Sequence, residues 1–258
     1  MSQNLERAAS LVVYTNARLQ GQDIEYTSDH STIKFSRHVP RPEGALPDAV
    51  YDDTKVIARN PFAWSDYLKR EGISCVKLHY FESGLELPDH VSAAFVGGGS
   101  MLAIEALHGA RSDVYVEGSR APTSSKNLGL HYLLVEKDVE PVEDAGITVD
   151  QTIDKLGTIL EKLENFAREH ERIEHWAQNF QSARKLLSGE VPKYYDELFP
   201  LGLLPEKNRQ LIAGALGSWV FGGMGSWNDD GFGEGAELGT DLYKAIHDGV
   251  SAAVNTSR

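Results

Sequence analysis

Between Asp150 and Ser188 the apolar positions Ile159, Leu163, Phe166, Ile173, Ala177, Phe180 and Leu187, with His170 in the series, follow alternating steps of four and three, broken once at Arg184. That period belongs to an α-helix that buries one stripe. Thr148 and Gln151 supply a capping box at its start and Gly189 a stop. Unbroken, the 39 residues 150–188 would extend about 58 Å at ~1.5 Å each. A compact chain of 258 residues measures only roughly 45–50 Å across. The pattern therefore calls for a helix that bends, breaks or projects, inside a helical lobe placed over residues 147–258.

Residues 1–140 carry strand signals instead. Leu11–Tyr14, Ile24–Ser28 and Thr32–Ser36 read as short strands, followed by an irregular segment at Pro40, Pro42, Gly44 and Pro47. Asn60, Pro61 and Gly72 bracket a short helix bearing Trp64, Tyr67 and Leu68. Ile73–Phe81, Val91–Val96, Asp113–Ser119 and Leu130–Lys137 read as further strands, the last two forming a long hairpin. Met101–His108 fits a helix or a strand equally. The expected fold is α+β: an N-terminal, mostly antiparallel sheet with one or two helices, and a C-terminal helical lobe packed against it in one integrated domain.

The charge balance narrows the partners. Lys plus Arg number 25 against 38 Asp plus Glu, a net charge of −13, which disfavours nucleic acid. No apolar run approaches membrane-spanning length and no secretory leader is visible. Cys75 is the single cysteine, so no internal disulfide forms, consistent with a cytoplasmic location.

Between Ser226 and Asp248 there are six acids and one Lys, and four of those acids lie in Gly222–Glu237, a glycine-rich stretch between two amphipathic helical patterns. The first pattern begins at Pro205 and presents Leu211, Ile212, Ala215, Leu216, Trp219 and Val220; the second presents Leu238, Leu242, Ile246, Val250 and Ala253. Set against the EF-hand loop pattern from Ser226, the stretch places Asn228 third, Asp230 fifth, Gly231 sixth and Glu237 twelfth. Ser226 stands where Asp is normal, and Gly233 where a β-branched or aliphatic residue is wanted. Ser226, Asn228, Asp230 and Glu237 are thus the candidate ligands of a cation, calcium by the hardness of the oxygen donors. A different reading makes the stretch a protein-facing surface, with Trp227 and Phe232 as aromatic anchors and Asp229, Asp230 and Glu234 as charges for a basic partner.

Other motifs fail in detail. Gly97, Gly98, Gly99 and Ser100 follow a strand pattern and offer an anion-binding turn, yet fit neither phosphate-loop spacing nor a nucleophile elbow. Cys75 and His79 share a strand face but stand roughly 13 Å apart, too far for a nucleophile and its base. His170 and His175 are five apart, about 140° around a helix, and cannot close on one metal. With no complete catalytic motif, the favoured expectation is a non-catalytic binding protein, of the kind that inhibits or confers immunity to a basic toxin. The alternatives are a metal-dependent or anion-binding enzyme joining the acidic loop to the Gly97–Ser100 turn, and a calcium-stabilised structural protein.

Overall fold

A computed structural model describes residues 2–26, 33–37, 56–82, 100–117, 131–143, 146–222, 226–230 and 233–255. These form eight α-helices and a six-stranded mixed sheet, an α+β fold. The expected strand Val91–Val96, the turn residues Gly97–Gly99 and the aromatic Phe232 lie outside the described residues.

By internal contacts the chain divides into two units: Tyr14–His79 with Leu102–Val142, and Met1–Val13 with Tyr80–Met101 and Glu143–Arg258. Each unit is therefore assembled from separated stretches of chain, where the sequence suggested two contiguous lobes.

The sheet-bearing unit holds β1 (Lys34–Arg37), β2 (Val56–Ala58), β3 (Cys75–Glu82, from Cys75 to His79), β4 (Ser100–His108, from Leu102), β5 (Arg111–Glu117) and β6 (His131–Val139), in the order β2-β1-β6-β5-β4-β3. β4, β5 and β6 pair antiparallel in succession, whereas β1 lies parallel to β6. Residues 101–108 are thus strand. Ala103, Glu105 and Leu107 alternate with Ile104 and Ala106, and Gly109 at φ 59 makes the tight turn into β5. Helix α2 (Pro61–Arg70) starts as its sequence predicts, with Asn60 Oδ1 accepting from the Ala63 N–H at 2.9 Å. It lays Trp64 on the sheet, stacked on Phe35 at 4.1 Å and edge-on to Tyr115 at 5.4 Å.

Helix α1 (Ser2–Leu19) corrects the expected strand at Leu11–Tyr14. Every residue from Ala8 to Ala17 is buried, so the stretch shows an apolar run without helical alternation. A run of that kind has the same appearance in a buried strand and a helix buried all round. The polar residue Asn16 fits there because its carboxamide pairs with the backbone of Val76 on β3, donating at 2.9 Å and accepting at 2.8 Å.

The helical unit contains α3 (Val149–Arg168), α4 (His175–Leu186), α5 (Tyr195–Leu198), α6 (Glu206–Gly217), α7 (Trp227–Asp230) and α8 (Glu234–Asn255). The capping box of Thr148 and Gln151 opens α3. The long helical pattern breaks after Arg168: His170 leaves helical geometry at φ −128, a 3-10 turn spans Glu171–Ile173, and α4 packs back against α3. His170 Nδ1 donates to the Phe166 carbonyl at 2.7 Å, filling an acceptor that the broken helix orphans. Arg184, the gap in the apolar series, donates to Glu164 at 2.9 Å, and Arg168 and Gln181 bond the same carboxylate. The seam is therefore closed by ions where the stripe lacks an apolar side chain. Leu238, Leu242, Ile246, Val250 and Ala253 are all buried on α8, as their spacing predicts. Helix α6 stops at Gly217, short of Trp219 and Val220.

Candidate functional site

The glycine-rich acidic stretch is organised by Trp227. Its backbone N–H donates to the Val220 carbonyl at 3.0 Å and its indole Nε1 to the Gly235 carbonyl at 3.0 Å, so one residue ties together both ends of the stretch. Gly222 at φ 100 and Gly233 at φ 51 occupy left-handed backbone that favours glycine. The indole is 1% exposed and meets three aromatic rings at 5.2–6.3 Å: Phe180, Phe166 and Trp176. The expectation that Trp227 presents its ring to a partner is thus corrected: it is a core residue, because the loop folds over it and α3 and α4 supply its walls.

The candidate cation ligands are placed as follows. Ser226 is buried, Asn228 half-buried and Glu237 exposed on the first turn of α8, while Asp230 is the last residue of α7 and its side chain lies outside the described residues. Trp227–Asp230 form one helical turn, whereas a calcium loop wraps its first, third and fifth residues onto one ion. Among the described residues, no group of three His, Cys, Asp or Glu side chains is arranged to hold a metal ion. Ser100, from the candidate anion turn, begins β4.

What remains on the outside is charge. Asp229, Glu234, Glu237 and Asp241 are exposed on α7 and α8. Glu234 and Glu237 sit in the first turn of α8, where the helix dipole favours a carboxylate. Glu169, Glu171 and Glu174 are exposed at the break between α3 and α4. These two groups flank the same aromatic cluster, since His170 packs on Phe166 at 4.3 Å and Gly235 approaches Phe166 so closely that an added Cβ would lie 2.4 Å from the ring. Phe166 and Trp176 are half-buried. The length of the helical pattern calls for a bend, break or projection, but nothing in the sequence shows that Phe166, Trp176 and Phe180 converge on Trp227.

The chain matches no protein-family model, no curated protein and no solved structure.

Two histidines stand in environments that only the structure shows, His79 half-buried and His247 buried. His79 Nε2 lies 2.9 Å from Glu105 Oε2, and Glu105 is 1% exposed. Burial pushes the Glu105 carboxyl up, but the hydrogen bonds from His79 and the Val142 N–H overcome it and hold the group below the ordinary carboxylate range. Cys75 shares that strand face and its thiol is pushed up by burial, the opposite of an activated nucleophile. His247, on α8, is 3% exposed among Tyr80, Trp219 and Tyr243, its ring 4.1 Å from that of Tyr80. Burial lowers its pKa to about 4, and Nδ1–H donates to the Tyr243 carbonyl at 2.8 Å. Direct ring-to-ring contact identifies this as packed core. No helix among the described residues is long and apolar enough to cross a membrane.

Proposed function

We propose that this chain is a non-catalytic binding protein that engages a basic protein partner, in the manner of an inhibitor or immunity-type protein. The acidic face around the Trp227 loop and the α3–α4 break is its contact surface. The observation that carries this reading is the convergence of Phe166, Trp176 and Phe180 on Trp227. Through Phe166, which touches His170 and lies against Gly235, it links the α3–α4 break, where exposed Glu169, Glu171 and Glu174 outnumber exposed Arg168 and Arg172, to the exposed Asp229, Glu234 and Glu237, some 60 residues on in sequence. A field of one sign speeds association with an oppositely charged protein and suppresses wrong partners. Trp176 takes the anchoring role first assigned to Trp227, since it is half-buried at the edge of the same cluster.

Affinity capture on the full chain tests this, run beside a variant carrying Glu171→Lys, Glu174→Lys and Glu234→Lys. A basic protein should be held by the wild type, lost from the variant and released as salt is raised. Retention of the same proteins by both, or binding that ignores salt, would remove this surface from the reading.

A further inference from the structure

Two carboxylates in the sheet-bearing unit are almost fully buried: Glu105 on β4 at 1% exposure and Asp113 on β5 at 2%. Opposite pairing registers put them on opposite faces of the sheet, with Glu105 across from Val114 and Asp113 across from Ala106. Each does the same two things. Glu105 accepts the Val142 N–H at 2.8 Å and meets His79 Nε2 at 2.9 Å. Asp113 accepts the Asp138 N–H at 3.0 Å and has His108 Nε2 at 3.4 Å. Both backbone donors belong to the short segment 138–142, which is the end of β6 and the stretch leading on toward α3. The β5–β6 ladder shifts register near Asp113, and Asp138 adopts φ 56, a conformation uncommon for a residue with a side chain. Arg111 adds a hydrogen bond to the Asp138 carbonyl and an ion pair to its carboxylate at 3.3 Å.

We infer that Glu105 and Asp113, each backed by a histidine, form a clamp that holds the segment 138–142 against both faces of the sheet, and that acid releases it at the Glu105 bond to Val142. The ionised Glu105 carboxylate is the acceptor of the Val142 bond, so adding a proton removes much of its attraction for that N–H. Glu105 faces His79 and, along the same strand, Cys75. Asp113 faces His108 on β4, Lys137 on β6, and Tyr67 on α2, with Glu71 of α2 paired to Lys137. Glu105 is held below the ordinary carboxylate range, so its bond is complete above that range and is lost as pH falls through the folded value.

Hydrogen exchange on the full chain, read residue by residue between neutral and acid pH, tests the clamp. Protection at Val142 should fall on acidification by up to about tenfold per pH unit, the limit for one proton, while the β5 amides of Tyr115 and Val116 keep theirs. Glu105→Gln should remove the pH dependence at Val142. His79→Leu keeps the carboxylate, covers the case in which Glu105→Gln does not fold, and should move the release upward by about one pH unit. Loss of protection at Val142 strictly in step with the β5 amides would overturn the clamp, as would a His79→Leu profile identical to the wild type.

Discussion

Trp227 lies so close to Gly239 that a Cβ added to this glycine would stand 2.7 Å from the indole nitrogen and 2.9 Å from Cδ1. A glycine inside α8 ordinarily costs the helix about 1 kcal/mol relative to alanine. Here the missing methyl is the space the indole occupies. Gly239→Ala is therefore expected to destabilise the protein despite the better helix propensity, and Trp227→Ala to cost about 3–5 kcal/mol as a large-to-small core change. Urea unfolding of both variants checks this, and a more stable Gly239→Ala would refute the close packing.

Asn16 replaces a neighbouring strand for one residue of β3, pairing with both the N–H and the carbonyl of Val76. Asn16→Ala strands two backbone groups in a buried site, and about 2–4 kcal/mol of stability should be lost. Thermal or urea denaturation reads the change directly; a loss under about 0.5 kcal/mol would mean that those groups find other partners.

His247 gives the fold a pH dependence of definite sign. Its folded pKa, lowered by burial to about 4, lies below the ordinary 6.5. Between those values the unfolded chain binds a proton that the folded chain does not, so stability rises with pH through this window and falls by about 3 kcal/mol from its top to its bottom. His247→Leu should flatten the stability profile between pH 6.5 and 4. An unchanged slope in that variant would assign the effect elsewhere.

Glu164 joins α3 to α4 through Arg168, Gln181 and Arg184. Burial raises its pKa, and the hydrogen bonds from Arg168 and Arg184 reverse this and hold it below the ordinary carboxylate value. Both arginines are near half exposed, at 48% and 40%, so water replaces part of what is lost when the charge is removed. Glu164→Gln should cost about 1–2 kcal/mol at neutral pH and progressively less as pH falls through the Glu164 folded pKa. A mutational cost independent of pH would show that the charge contributes nothing.

Local chemistry was legible wherever a short stretch carries its own signal. The Asn60 cap and Gly72 stop delimited α2, the Thr148–Gln151 box opened α3, and the five apolar positions of α8 were read correctly from spacing alone. The length of the 150–188 pattern demanded a bend, break or projection, and a break near His170 is what occurs. The candidate site was read less fully. Its carboxylates were visible as charge in a glycine-rich stretch, but Trp227 was assigned to the surface because an aromatic residue among glycines and acids gives no local sign of the rings that enclose it.

By itself, then, the sequence determined periods, caps and turns, since these depend on residues within about four positions of one another. Tertiary structure decided that residues 11–14 belong to a helix, that 101–108 form a strand, that β1 lies parallel to β6, and that Trp227 is core. In each case the deciding energy is burial against, or pairing with, a segment distant in sequence. Where opposing local preferences differ by less than about 1 kcal/mol per residue, such contacts prevail.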